Sequence, residues 1–335
     1  MSYLVDMRML VSSSDPPDLS SHRHERVGRP QMRIDVHQHI WTESLIDRLA
    51  ARDAPPLVRR SRGLTVLHCN GEQPYVIDTV AEESRRRARL VRKDGLDLAL
   101  IAISSPVGIE ALPRRSALEL IRAHLDGVTA LPDRFAAWGP LPLGGIDADD
   151  VDDVLARGCV GVSLPAGALW GAVQLARMAP VLERIALRRV PLFVHPGPGL
   201  HQRQSEAELD EPSWWRALTD YVAQMHAAWL TFTTNGRHQH PELVVLFAML
   251  AGCAPLLTER LDSRGGPPVD VRDPRIFYDT SSYGPAAVEM MARRVGGGQL
   301  LYGSDRPVIE PVATGREALL QANGAGLFAG IGVSA

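Results

Sequence analysis

A single (β/α)8 barrel, a TIM barrel in the α/β class, is the fold this sequence predicts. Three observations carry it. Eight short apolar runs alternate with amphipathic helical segments from Arg33 onward. The runs are nearly all apolar between their ends, as strands covered on both faces are. No linker-like stretch divides the alternation near its middle, as two smaller doubly wound domains would require.

The runs, in order, are Arg33–His37, Asp97–Ser104, Arg134–Leu141, Cys159–Ser163, Pro191–His195, Glu242–Phe247, Arg275–Asp279 and Gln299–Gly303. Helical patterns between them include Ser116–Leu125, Val151–Ala156, Leu175–Arg188, Trp214–Phe232 and Pro285–Arg294. Residues 1–32 are rich in Ser, Pro, Asp and Arg without a sustained period. They are expected to form a disordered leader, with Met32 a candidate start, leaving 33–330 for the barrel. One interval breaks the rhythm. Residues 41–80 are too long for a simple crossover, and within them Leu64–His68 and Pro74–Asp78 flank Asn70-Gly71. That pattern predicts a small β-hairpin insertion after strand 1, lying over the barrel mouth.

Composition narrows the function classes. The net charge of −3 on 335 residues argues against nucleic acid or an anionic membrane as partner and leaves a small molecule. No apolar stretch approaches the roughly 18 residues of a membrane span. Asp6 and Arg8 interrupt the only apolar N-terminal stretch, so no signal-peptide core is read there. Cys69, Cys159 and Cys253 form neither a CxxC pair nor a disulfide framework, and reduced thiols in a cytoplasmic protein are expected.

Chemistry concentrates at three strand ends. His37-Gln38-His39 closes the first run, His195 the fifth, and Asp305 follows the eighth in Tyr-Gly-Ser-Asp-Arg-Pro. Strand ends of a parallel barrel converge on one mouth. Side-chain alternation puts Asp35, His37 and His39 on one face, the interior of a closed barrel. Three imidazoles and a carboxylate suit Zn²⁺ best, with Mn²⁺, Fe²⁺ or Co²⁺ as alternatives, and leave room for water.

These motifs resemble the amidohydrolase superfamily, in its amidohydrolase-related (type 2) branch, which includes aminocarboxymuconate-semialdehyde decarboxylase. Ile34 to Ile40 is similar to that branch's first-strand motif, Leu192 to Pro196 to its fifth, and Tyr302 to Pro307 to its final Tyr-Gly-Thr-Asp-x-Pro. Asn323 to Phe328 resembles its closing helix. The resemblance implies one divalent metal held by His37, His39, His195 and Asp305, and it implies a homodimer. One position departs from it. The branch carries a His at the end of strand six, in Phe-Ala-His-Gly-Gly-Gly, where this chain has Phe247-Ala248-Met249-Leu250-Ala251-Gly252. A thioether donates no proton.

The leading expectation is metal-assisted hydrolysis of a small cyclic ester or amide, with Asp305 as general base toward metal-activated water. The alternative is non-oxidative decarboxylation of an aromatic or enoic acid, with Asp305 protonating the carbon that loses CO₂ and Trp214 or Trp215 stacking on a ring. A third is a metal-binding barrel without turnover, which Met249 supports. Arg59, Arg60, Arg62 and Arg306 are candidate carboxylate binders. For the first three a solvated surface role competes, and the Arg306 side chain should point away from Asp305.

Other features are set aside. The basic run at Arg85 to Lys93, with Glu82 and Glu83 before it, fits a solvated outer helix. The acidic run at Asp147 to Asp153 fits a helix N-terminus, and Gly296 to Gly298 a turn into the last strand. His68, His124, His201 and His226 fit loop or helix surfaces, and His238 and His240 the barrel bottom.

Overall fold

A computed structural model describes residues 32–200 and 211–329. The leader assigned to 1–32 lies, Met32 apart, outside the described residues, as does His201. Eleven strands run β1 Ile34–Gln38, β2 Leu57–Ser61, β3 Leu64–His68, β4 Tyr75–Ile77, β5 Leu98–Ile101, β6 Phe135–Pro140, β7 Gly161–Pro165, β8 Leu192–His195, β9 Val245–Phe247, β10 Ile276–Asp279 and β11 Leu300–Leu301.

Eight of them form one parallel sheet in the order β1-β5-β6-β7-β8-β9-β10-β11. Each of the eight expected runs overlaps one of these strands, with β1 running one residue and β7 two residues past the expected end. The ends of the sheet meet. Val36 N donates to Tyr302 O at 2.9 Å, Asp305 N donates to His37 O at 2.9 Å, and Gln38 bridges Arg306 in parallel. This seam closes the barrel and ties the first and last site motifs to each other through backbone.

Helices cover the strands with apolar stripes. In Ala172–Arg188, Leu175, Met178, Val181, Leu182 and Ile185 are buried, the spacing that one helical face demands. That helix ends where Arg189 turns left-handed, two residues before Pro191 opens the next strand. Helix Asp149–Ala156 begins with Asp149, Asp150 and Asp152 in its first turn, where the macrodipole favours negative charge. The segment read as one helix over Trp214–Phe232 divides at Thr219 into Trp215–Leu218 and Asp220–Thr231. Among the described residues no helix is long and apolar enough to cross a membrane.

The insertion is a three-stranded antiparallel sheet, β2-β3-β4, one strand more than the expected hairpin. The tight turn is Arg62-Gly63 between β2 and β3. Both residues have positive φ (51° and 79°), as a two-residue hairpin turn with the right twist requires. Asn70-Gly71 lies instead in the longer β3–β4 loop, where Gly71 has φ 76°. The Cys69–Tyr75 end of this sheet reaches the barrel mouth, beside Ser104, Pro106, Val107 and Val308.

Candidate metal centre

The floor of the site is apolar. Trp138 of β6 stacks on Phe193 of β8 with centroids 5.2 Å apart, and Phe193 meets the His37 ring edge-on at 5.1 Å. Trp138 is fixed from behind, its indole N–H donating to Val36 O at 2.9 Å. Phe193 and His195 stand two positions apart on one strand face, so Phe193 fills the barrel below the level at which His195 emerges.

Above that floor the four expected ligands converge. One donor atom from each of His37, His39, His195 and Asp305 lies within 4.8 Å of all the others, and all four residues are buried. His37 Nε2 is 3.2 Å from His39 Nε2 and 3.6 Å from Asp305 Oδ1, and His39 Nε2 is 3.1 Å from Asp305 Oδ1. The three rings stand mutually edge-on, at interplanar angles of 85° to 88°.

The outward ring nitrogens explain the orientation. His37 Nδ1 is 2.9 Å from Asp279 Oδ2, His39 Nδ1 is 2.9 Å from Ala102 O, and His195 Nδ1 is 2.8 Å from Pro196 O. Carbonyls and carboxylates only accept, so each Nδ1 carries a hydrogen and donates it. In the neutral ring each Nε2 is thereby left with its lone pair toward the shared centre, the arrangement a metal ion requires of imidazole ligands. The electrostatics agree. Burial alone would lower the His37 pKa, but Asp279, aided by Asp305 and Asp35, lifts it to about 9, so this centre favours positive charge. His195, buried and facing two other imidazoles, is held well below its ordinary value and is neutral. The donor set fits a divalent ion.

Asp279 is the functional residue that sequence reasoning missed. It is fully buried at the end of β10. Besides His37, it accepts hydrogen bonds from Met249 N (3.1 Å), Ser281 N (3.0 Å) and Ser281 Oγ (2.5 Å). Burial opposes its charge, but His37 and the Ser281 donors outweigh burial and keep the carboxyl below its usual range. Gly303 makes room for it, since a Cβ there would sit 2.9 Å from Asp279 Cγ. A carboxylate closing a strand was the available signal. Asp35 serves the barrel seam, accepting from Ser304 N at 3.1 Å and Gln38 Nε2 at 2.7 Å.

Asp305 has φ 57°, in the left-handed region that non-glycine residues seldom occupy. Such outliers concentrate at functional sites, and here the turn leaves the Asp305 carboxylate against two imidazoles. Met249 opens a still longer left-handed run. Met249, Leu250, Ala251, Gly252 and Cys253 all have φ between 51° and 65°. Its backbone N–H is committed to Asp279, and its buried thioether stands where the resemblance places an imidazole.

The remaining candidates separate. Arg59, Arg60 and Arg62 are exposed on the insertion, and Arg60 pairs with Asp47 at 2.8 Å. Arg306 turns away from Asp305, as expected, to Asp94 and Glu310. Trp214 and Trp215 are exposed and tilt against each other at 5.8 Å, neither packed in a helix interface nor lining the cavity beside the site. Arg87 is no solvated helix residue. It is buried, paired with Glu82 at 3.0 Å, and donates to Gln38 Oε1 at 2.8 Å, bracing the site motif from behind. His124 is likewise buried, with neither ring nitrogen hydrogen-bonded, and burial holds its pKa at about 3. His226 is half-buried against the left-handed run, its Nε2–H donating to Gly252 O at 2.6 Å.

No protein-family model matches the chain, and no curated protein does. Solved structures do. IDCase of Metarhizium anisopliae in its apo form superposes with a TM-score of 0.68 at 17% identity, over 90% of this chain and 92% of that one. The 2,6-dihydroxybenzoate decarboxylase of Rhizobium gives 0.60 at 16% identity, over 89% and 98%. A 5-carboxyvanillate decarboxylase of Novosphingobium aromaticivorans, solved with manganese and a nitrobenzoic acid, gives 0.61 at 16%, over 91% and 92%. The fold is theirs. These neighbours agree with the resemblance to the amidohydrolase-related branch that the strand-end motifs carry.

Proposed function

We propose that the protein is a metal-dependent carboxy-lyase that removes CO₂ from a small aromatic or enoic acid. The observation that carries this is the convergence of three Nε2 lone pairs and the Asp305 carboxylate at one buried point. The similarity to decarboxylases favours carbon–carbon cleavage over the hydrolysis expected from sequence, which would use the same four residues.

His37, His39, His195 and Asp305 would hold the ion, Zn²⁺ as expected from the sequence or Mn²⁺ as in the neighbour. Bound there, it supplies positive charge for the substrate's carboxylate and neighbouring oxygen. Asp305 carries the proton. Its carboxyl donates to the carbon bearing the carboxylate, the bond from that carbon to the carboxylate breaks, and the electron pair stays with the ring or alkene as CO₂ leaves. Asp305 is left as a carboxylate and takes its next proton from solvent. Asp279 keeps the His37 proton on Nδ1 throughout. The floor of Trp138 and Phe193 excludes water from beneath, which strengthens each charge interaction above it. Met249 accords with this chemistry, since no step asks a strand-six imidazole to handle water.

The test is CO₂ release by the Zn²⁺- or Mn²⁺-loaded protein over a panel of hydroxylated benzoates and enoic acids, in parallel with lactone and amide hydrolysis. The expected result is CO₂ release that disappears with chelator and with Asp305→Asn. Lactone or amide hydrolysis without CO₂ release would establish the hydrolase instead. Neither activity, together with no metal by mass spectrometry, would leave a barrel without turnover.

A further inference from the structure

A cavity of about 260 Å³ opens beside the metal centre, between the tip of the insertion sheet and the 211–221 segment. Its walls are largely apolar, through Trp41, Leu67, Tyr75, Pro106, Val107 and Val308. At that volume it takes a ligand smaller than a typical drug. Among the polar side chains that line it are Glu72 and Tyr221, which the proposed chemistry does not use. Tyr221 OH donates to Glu72 Oε1 at 3.0 Å, joining helix Asp220–Thr231 to the β3–β4 loop. The cavity borders the metal centre at Val308, whose N–H donates to Asp305 O at 2.9 Å. It therefore adjoins the metal centre at one wall and carries the Glu72 carboxyl at another.

Among the described residues, acidic groups outnumber basic ones at the Glu72 end. Arg216 lines the cavity but is paired with Glu211 at 2.9 Å and Asp220 at 3.4 Å. Among the described residues, Glu72, Glu211 and Asp220 thus all draw on that guanidinium. Burial first, then Asp220 and Glu211, raise the Glu72 carboxyl to about 7 against the pull of Tyr221 and Arg216. A ligand group that donates a hydrogen bond to Glu72 relieves this imbalance, and a second ligand carboxylate adds to it.

We propose that Glu72, oriented by Tyr221, is a specificity-determining residue that accepts a hydrogen bond from a hydroxyl or amino substituent of the substrate acid and turns away dicarboxylates. This rests on the metal centre holding the substrate's carboxylate. The selected class is then a small monocarboxylic acid with a hydrogen-bond donor remote from the carboxylate.

Binding to the Mn²⁺-loaded protein, by calorimetry, tests it. The probes are benzoate, meta- and para-hydroxybenzoate, meta- and para-aminobenzoate, isophthalate and terephthalate. The wild type should bind at least one hydroxy or amino acid on the order of tenfold more tightly than benzoate, and the dicarboxylates more weakly than benzoate. Glu72→Gln, which keeps an accepting oxygen but loses the charge, should abolish the discrimination against dicarboxylates and retain the preference for a donor, whereas Glu72→Leu should abolish both. Tyr221→Phe should reduce the preference without reversing it. Donor selectivity that persists in Glu72→Leu, or a wild type that prefers no donor-bearing acid, overturns the proposal. Chelator-stripped wild type reports on the underlying function separately. Equal loss of affinity for every acid supports carboxylate binding at the metal, whereas unchanged affinities would overturn that premise whatever the Glu72 variants do.

Discussion

Asp279→Asn is the perturbation that most directly probes how the metal centre is built. In the wild type, Oδ2 takes the His37 Nδ1–H at 2.9 Å, and Oδ1 takes Met249 N, Ser281 N and Ser281 Oγ. Asparagine has one accepting oxygen. Three donors crowd the Oδ1 position, so the amide oxygen belongs there and its NH₂ faces His37. Two donors cannot share a hydrogen bond. The His37 proton therefore moves to Nε2, the nitrogen that faces His39 and Asp305, and the metal loses a lone pair. Partners of metal-ligating histidines are worth roughly 10- to 100-fold in metal affinity, or about 1.4 to 2.8 kcal/mol. Exchanging the charge-assisted His37–Asp279 hydrogen bond for a neutral one costs about 1 kcal/mol of stability besides. Competition with a chromophoric chelator for Zn²⁺ and Mn²⁺ measures the first, and urea denaturation of the metal-free protein the second. A variant that folds and binds both ions within twofold of the wild type would refute the claim that Asp279 sets the His37 tautomer.

Two further outcomes are expected. Glu110 is 1% exposed, and burial raises its carboxyl from 4.5 to about 7. The folded chain keeps a proton there that the unfolded chain releases, so this contribution is full below pH 4.5 and is lost as pH rises through 7. Glu110→Gln should flatten that decline and stabilise the metal-free protein at pH 8 by on the order of 1 to 3 kcal/mol, and identical urea midpoints at pH 5 and pH 8 for both proteins would contradict it. Met249→His should fold and load metal, since histidine tolerates positive φ better than most residues, and should change CO₂ release by less than about threefold. A rise of tenfold or more would show that the strand-six imidazole is a lost part of the machinery.

The sequence by itself determined the barrel and the four residues that converge as a candidate metal site. Apolar runs with helical patterns between them report burial on both strand faces, and this information is local. His37, His39, His195 and Asp305 were legible because each closes or follows a strand, and closing a parallel barrel brings such ends together whatever the details between them. Tertiary structure decided what depends on distant partners. Leu57–Ser61 carries Arg-Arg-Ser and lacks a strand's pattern, yet it pairs residue for residue with Leu64–His68 once Arg62-Gly63 turns the chain. Arg87 reads as one more cation in a basic helix until Glu82 and Gln38 are found against it. Asp279 reads as a strand end until His37, 242 positions away, donates to it. Glu72 and Tyr221, 149 positions apart, face one cavity only because the insertion and a helix after β8 fold over the same mouth. Period and strand ends are properties of the chain taken a few residues at a time. Tautomers, ion pairs and cavity walls belong to pairs of segments, and only folding chooses the pairs.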